Sequence, residues 1–455
     1  MVGAVGKHLA LIGFMGAGKS RLGGELARLT QRPFVDTDRE IEKSHGPIGQ
    51  LFERGEPEFR RIEEQVVAEA LAGPTAVIAL GGGAVLSEAT RKRLRRTAYV
   101  AWVTVEVDTA WSRVRDSGRP LARDREQFGR LFEERSDVYD LLAQGTGEDA
   151  ESLLLESLHV IFSSEIACDA AVVADERVAQ LHELPVVGGV TLTTHLVPAG
   201  EGAKTLAVVE RLWSEVEIDR DGWIVGFGGG STTDVAGFTA ATYLRGVHWV
   251  AVPTTLVGMV DAAIGGKTGV NTEQGKNLAG AFHFPWEIRI DPRFLATLPD
   301  EERRAGMAEV VKTGLLAGKP LWEFPEDEMI RAAAAFKCAV VLSDPYERDG
   351  RRTILNLGHT FAHALEAGSG YELRHGDAVA LGLLAALRLS GRPTDPVEDV
   401  LAPQPVRVDR DRTWDALLRD KKGAFNIVLL GDDGGFVTEL PEADVRRALD
   451  ELIAD

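Results

Sequence analysis

A chain of 455 residues exceeds what one hydrophobic core usually serves, so two or three domains are expected. Its 44% hydrophobic and 27% charged residues are those of globular protein, and a net charge of -19 argues against nucleic-acid and anionic-membrane partners, which an acidic surface repels. Two cysteines, Cys168 and Cys338, lie far apart, which excludes a disulfide framework and fits a reducing, cytoplasmic setting.

No apolar run is long enough to cross a bilayer. The apolar stretch within residues 1–18 runs into a glycine-rich loop that signal-peptide cleavage would destroy, so it reads as a buried first strand. HLALI, PFVD, AVIAL and YVAWVTV follow as short strands alternating with amphipathic helices, the pattern of a parallel sheet covered by helices. This α/β domain is expected over 1–145, and the polar, acidic start of QGTGEDAESLLLES predicts a linker over 146–160. A second alternation, AAVVAD, TTHLVPAG, WIVGFGGG and HWVAVPTT, predicts a Rossmann-like α/β nucleotide-binding domain over 161–298. Beyond it the strands fade, and alanine- and leucine-rich stretches predict a mostly helical domain over 299–455.

GFMGAGKS, residues 13–20, satisfies G-x-x-x-x-G-K-[ST] between a strand and a helix. Glycines Gly13, Gly16 and Gly18 let backbone N–H groups curl around phosphates, Lys19 neutralises β and γ phosphates, and Ser20 holds Mg²⁺. FVDTD sets Asp36 and Asp38 at the end of the second strand, one to support Mg²⁺ through water and one to orient an attacking hydroxyl. With FVDTDREIE, GEPEFRRIEE, LGGGAV, SGRPL and RSDVY in order, residues 7–143 resemble shikimate kinase. The resemblance implies ATP with Mg²⁺ as cosubstrate and a shikimate pocket of Asp38, Arg60, Gly81, Gly82, Gly83 and Arg135, arginines being suited to clamp a carboxylate bidentately. It also makes Arg119 a lid arginine that closes on the phosphates.

GFGGGSTTD, residues 226–234, follows an apolar strand and opens a helix, so Gly228, Gly229 and Gly230 permit close approach of a pyrophosphate. PAGEGAKT adds Glu201 and Lys204 after the preceding strand, and PTTL adds two hydroxyls, Thr254 and Thr255. AEVVK, NLGHTFAHALE and LRHGDAV bring one glutamate and three histidines together. Glu309, His359 and His375 make an N/N/O set with open positions, suited to a catalytic Zn²⁺, and His363 shares a helix face with His359. From about residue 165 onward these blocks, with PTTLVGMVDAAIGGKTGVN, GKN, HGDAVALG and DKK, resemble 3-dehydroquinate synthase.

That resemblance implies an NAD- and metal-dependent cyclisation of a heptulosonate 7-phosphate, with Zn²⁺ or Co²⁺ as the ion. It assigns Asp234, Glu201, Lys204, Thr254 and Thr255 to NAD, and Glu309, His359 and His375 to the metal. Asp261, Lys267, Lys276, Asn277, Lys312, Lys337, Arg352, Asn356 and His363 fall to substrate, with Lys421 near its phosphate and Arg245 reaching in from a partner in a homodimer. Clustered lysines are costly unless an anion compensates them, as a phosphorylated acid would. Thr233 stands where the family pattern has glycine, and because threonine avoids positive φ a different turn is expected there. Three other readings stay open: a metal-dependent NAD alcohol dehydrogenase, a different sugar phosphate cyclase, and a spent kinase kept for assembly.

Overall fold

In the computed structural model, which describes residues 3–116, 124–185, 191–421 and 424–454 (the side chains of 420 and 421 excepted), the apolar runs become parallel strands with helices between them. The chain divides into two compact units, Met1–Val160 with Cys338–Pro345, and Ile161–Lys337 with Tyr346–Asp455.

The first unit is built on β1 (His8–Ile12), β2 (Phe34–Asp36), β3 (Val77–Ala79), β4 (Ala98–Val103) and β5 (Gly145–Gly147), in the order β2-β3-β1-β4-β5. All four pairings are parallel, with Leu9 opposite both Val77 and Tyr99. Every residue of β1 is buried, as expected for a central strand covered on both faces. Phe14, just past β1, stacks edge-on against Phe128 and Phe132 (ring centroids 4.9 and 5.2 Å apart), which ties the following loop to the core. Residues 146–160 are not a linker. They hold most of β5, which pairs with β4, and the helix Ala150–Ser157, capped by Asp149 and burying Leu153, Leu154 and Leu155. The acidic start of that segment is helix-capping chemistry rather than solvated tether.

The second unit is built on β6 (Val160–Ile161), β7 (Ala170–Asp175), β8 (Thr191–Val197), β9 (Trp223–Gly228), β10 (His248–Pro253), β11 (Lys267–Thr272), β12 (Gly275–Phe282), β13 (Glu287–Arg289), β14 (Asn426–Gly431) and β15 (Gly434–Glu439). The six-stranded sheet runs β6-β13-β10-β9-β7-β8, and β13, β10, β9, β7 and β8 pair in parallel. Helix Gly230–Thr242 leaves the end of β9, so its N-terminus stands at the carboxyl edge of the sheet, where parallel α/β sheets take ligands. Two antiparallel ribbons, β11–β12 and β14–β15, lie outside this sheet. The second adds one short ribbon to the region beyond residue 300, expected to be mostly helical; the turn Gly431–Gly434 closes it. The remainder is helical, and His375–Leu389 is buried almost all round.

Candidate active sites

The first site forms where β1, β2 and β3 end. Gly13, Gly16 and Gly18 take φ of 142°, 83° and 91°, a run that side chains resist. A Cβ at Gly13 or Gly16 would lie 2.5 Å from Val103 O or 2.7 Å from Ala110 O, so the loop closes only with glycine there. Gly18 leads into helix Lys19–Leu29, whose N-terminus has no side-chain cap. Lys19 Nζ donates to Gly13 O at 2.9 Å and Phe14 O at 3.0 Å, folding its charge over the loop, and Ser20 is exposed beside it. Backbone donors, a helix dipole and an ammonium therefore face one anion position.

Opposite lies the expected acceptor set. Asp36 is buried and caps helix Thr37–His45 by accepting from Arg39 N. Gly81, Gly82 and Gly83 bring the backbone against Asp38, Arg135 and Arg60: a Cβ would stand 2.5 Å from Asp38 Oδ1 at Gly81 and 2.2 Å from an Arg60 nitrogen at Gly83. Arg60 pairs with Glu63 at 2.6 Å and Glu56 at 3.0 Å. Burial pushes the Glu63 carboxyl above its ordinary range, against the pull of Arg60. Arg135 is only 4% exposed, lies over the Phe14 ring and leaves Nε without a hydrogen bond. Tyr139 donates to Gly82 O at 2.6 Å and holds the glycine turn. Arg119 lies outside the described residues.

The second site gathers at the carboxyl edge of the six-stranded sheet. Gly228, Gly229 and Gly230 run from β9 into helix Gly230–Thr242, and a Cβ on any of them would meet Thr232, Thr255 or Ala262 within about 3.0 Å. The Thr254 hydroxyl is buried there without a partner, and Thr255 Oγ accepts from Gly258 N. Thr233 distorts no turn: it lies inside the helix, and its hydroxyl donates to Gly230 O at 3.0 Å. Lys204, 5% exposed, bonds Asp234 Oδ2 and Asn277 Oδ1, each at 2.5 Å. Burial pushes Asp234 up to about 6 even beside that ammonium. Glu201 accepts from Asn271 and Ser231.

Glu309 and Lys312 share a face of helix Asp300–Ala317 at 1% and 2% exposure. Two glycines let the histidine helices close on it. A Cβ at Gly376 would lie 2.3 Å from Ala305 Cα, and one at Gly382 would lie 2.1 Å from Gly358 O, just before His359. His359 Nε2 and His375 Nε2 each stand 3.4 Å from Glu309 Oε1, and the ligand atoms of all three residues fall within 4.8 Å of one another. Neither Glu309 oxygen has a well-formed hydrogen bond, although Lys312 pairs with one of them. A tetrahedral ion with bonds of about 2.1 Å sets its ligands about 3.4 Å apart, so the donor set fits a divalent cation. Burial opposes ionisation of Glu309, but Lys312 and His359 hold it well below the usual carboxylate range. Burial likewise disfavours a charged His375, yet the neighbouring Glu309 and Glu366 carboxylates, 3.4 and 3.5 Å from its ring nitrogens, push it up to about 10.

Around this cluster Lys267, Lys276, Lys312, Lys337 and Arg352, all expected substrate cations, each have an internal carboxylate. Asp261 takes Lys337 and, at 3.6 Å, Lys312; Glu347 takes Lys267 and, at 3.6 Å, Arg352; Glu366 takes Lys276 at 3.3 Å. Burial pulls Lys337 down to about 8 despite Asp261. His363 is exposed with its ring 5.5 Å from that of His359, Asn356 is exposed three residues before His359, and Arg245 is exposed in the turn Tyr243–Arg245. Lys421 ends helix Arg410–Lys421, and its side chain lies outside the described part.

Three family models match this chain: shikimate kinase over residues 15–162, 3-dehydroquinate synthase N-terminal over 194–305, and 3-dehydroquinate synthase C-terminal over 306–401. The 3-dehydroquinate synthase of Methylacidiphilum infernorum is 40% identical over 286 residues, 57% of this chain and 80% of that one. The chain belongs to the 3-dehydroquinate synthase family. It carries a shikimate kinase domain ahead of the synthase and is a bifunctional enzyme of the shikimate pathway. Among solved structures, 2-deoxy-scyllo-inosose synthase complexed with carbaglucose-6-phosphate, NAD⁺ and Co²⁺ aligns at 25% identity and TM-score 0.55, covering 64% of this chain and 96% of that one. The 2-epi-5-epi-valiolone synthase of Streptomyces hygroscopicus, with NAD⁺ and Zn²⁺ bound, aligns at 25% identity and TM-score 0.54, covering 63% and 91%.

Sequence reasoning missed the carboxylates of both catalytic parts. Glu63 in the kinase, and Glu347 and Glu366 in the synthase, pair with expected ligand-binding cations. Glu63 and Glu366 sit inside the quoted blocks GEPEFRRIEE and NLGHTFAHALE, and their helical spacing from Arg60 and His363 was the available signal.

Proposed function

We propose that the first domain transfers the γ-phosphoryl group of ATP to the 3-hydroxyl of shikimate, and that the second converts 3-deoxy-D-arabino-heptulosonate 7-phosphate to 3-dehydroquinate and phosphate. In the kinase, Lys19 and the backbone of Gly13, Gly16 and Gly18 hold the nucleotide phosphates, Ser20 and Asp36 serve Mg²⁺, and Arg119 serves the transferred phosphoryl group. Asp38 orients the attacking hydroxyl and takes its proton, while Arg60 and Arg135 hold the acceptor's carboxylate against Gly81–Gly83. Oxygen attack forms the new P–O bond as the bond to the β-phosphate oxygen breaks and ADP leaves.

In the synthase, Gly228–Gly230 and the N-terminus of helix Gly230–Thr242 receive the NAD pyrophosphate, with Glu201, Lys204, Asp234, Thr254 and Thr255 around it. Glu309, His359 and His375 hold Zn²⁺ or Co²⁺. Bound there, NAD would supply reversible hydride acceptance at the substrate's hydroxyl-bearing carbon, and the cation would supply polarisation of that hydroxyl. Lys267, Lys276, Lys337 and Arg352 exchange their internal carboxylates for the substrate's phosphate and carboxylate, while Asn277, Asn356, His363 and Lys421 complete the phosphate pocket. Lys312 and Asp261 keep the floor of the site charge-balanced beside the cation ligands.

The single observation that carries this reading is the convergence of Glu309, His359 and His375 beneath a ring of paired lysines. Identity of 40% to a dehydroquinate synthase, against 25% to the two other cyclases, favours the dehydroquinate product. We assign the NAD part to 161–298 and the cation and substrate part to 299–455, with Arg245 serving the partner's site in a homodimer. Cys168 and Cys338 are not joined by a disulfide, which supports a reducing, cytoplasmic setting. None of the described helices is long and apolar enough to cross a membrane. The test is phosphate release from the heptulosonate phosphate by the full chain: turnover requires NAD and a divalent cation, and undiminished turnover after exhaustive chelation would overturn the cation assignment.

A further inference from the structure

The residues read above as NAD contacts and those read as substrate contacts lie on different elements. Glu201 and Lys204 belong to the turn after β8, and Lys276 and Asn277 to β12. Asn271, near the end of β11, belongs to neither set, yet it touches both. Its Nδ2 donates to Glu201 Oε2 at 2.7 Å, its Oδ1 accepts the N–H of Asn277 at 3.0 Å, and its own N–H donates to Lys204 O at 2.9 Å. Lys204 Nζ closes the circuit on Asn277 Oδ1 at 2.5 Å.

The backbone explains why this residue is available. The β11–β12 ladder shifts register between Val270 and Thr272, so Asn271 sits at a bulge and is left out of strand pairing. Asn277 has φ of 57°, a left-handed conformation that asparagine tolerates better than most residues but that still needs outside support. The two bonds from Asn271 and Lys204 supply it.

We propose that Asn271 is a positioning residue that couples the two ligands of the synthase. It fixes Glu201 and Lys204 on the NAD side and Asn277 on the phosphate side in one hydrogen-bonded frame, so that each ligand orders the contacts of the other. The proposal rests on the NAD and substrate reading given above. Asparagine suits the position because one side chain must donate to a carboxylate and accept from an N–H; aspartate has no donor and would face Glu201 with like charge.

The test uses the full chain and its Asn271→Ala, Asn271→Asp and Glu201→Gln/Asn271→Asp variants. Binding of NAD⁺ is titrated with and without inorganic phosphate, and kcat and KM are measured with the heptulosonate phosphate. In the wild type, phosphate tightens NAD⁺ binding. Each single variant raises the NAD⁺ Kd and the substrate KM about fivefold, removes the effect of phosphate on NAD⁺, and changes kcat less than twofold. In the double variant the introduced amide donates to the introduced carboxylate, which reverses the direction of the lost bond. The substrate KM and the effect of phosphate on NAD⁺ then return to within twofold of wild type, while the NAD⁺ Kd stays raised by the loss of Glu201's own contact; a general structural defect would permit no such rescue. Wild-type behaviour of Asn271→Asp, a change in kcat alone, or a double variant no better than the single would overturn the coupling. Absence of NAD-dependent phosphate release by the wild type would instead overturn the function itself, and the coupling with it.

Discussion

Lys337 gives the sharpest check on the synthase site, because its charge is poised. An ammonium pulled from 10.5 to about 8 has been destabilised by about 3 kcal/mol through burial, even with Asp261 in contact. If the protonated form receives the anionic substrate, kcat/KM of the wild type falls tenfold per pH unit above about 8, as free enzyme loses that proton. Asp261→Asn removes the carboxylate that supports the ammonium while Lys312 and Arg352 continue to repel it. A neighbouring opposite charge is worth roughly 1–3 pH units, so the alkaline limb moves down to about 7 or below, as far as about 5. Lys337→Arg, whose guanidinium stays charged, removes the limb whatever it does to the absolute rate. The assay is phosphate release at limiting substrate from pH 6 to 10, reading the position of the limb rather than its height. A limb that stays near 8 in Asp261→Asn, or that persists in Lys337→Arg, refutes the reasoning.

Lys19→Ala abolishes ATP-dependent phosphorylation of shikimate and leaves synthase turnover within twofold of wild type; loss of both in a folded protein would reveal coupling between the two activities. Gly83→Ala drives a methyl group into Arg60 and raises the KM for shikimate at least tenfold with little change in that for ATP, as coupled kinase assays would measure. Cation affinity of the synthase rises with pH between 6 and 9, because the proton that Glu309 and Glu366 hold on His375, with its pKa near 10, must leave before the imidazole can ligate; Zn²⁺ titration of the chelated protein should show about one proton released per ion. Thr233→Gly, which restores the family's usual residue, destabilises the synthase unit by about 1 kcal/mol in chemical denaturation, because a buried methyl and the hydroxyl bond to Gly230 O are lost while glycine ranks a few tenths below threonine in a helix.

Much of the fold and of both candidate sites was legible because their chemistry is written in local blocks. GFMGAGKS and GFGGGSTTD each place glycines where a strand meets a helix, and both segments adopt that arrangement. HTFAH fixes His359 and His363 one helical turn apart without any tertiary knowledge. What escaped was chemistry made across sequence distance. Glu347 meets Lys267 from 80 residues away, and nothing in either segment announces the pairing. Residues 146–160 misled because capping residues such as Asp149 share their composition with linkers. The ribbon β14–β15 was missed because its strands are short and half exposed, which weakens the apolar signal. Thr233 misled in the opposite direction: a family glycine suggests a turn, but the backbone at that position is already helical.

The ribbon β11–β12 sits apart from the six-stranded sheet, and its second strand is mostly exposed, while it carries Lys267, Lys276 and Asn277. Whereas Thr268 and Val270 of the first strand are buried, side chains of the second are largely freed from core packing, and they can vary with little effect on whether the unit folds. A scaffold arranged this way can explore new anionic substrates by editing the outer strand as long as Asn277 keeps the bonds that tie the ribbon to Asn271 and Lys204. Randomising the other exposed positions of that strand is accordingly the shortest route to altered substrate choice.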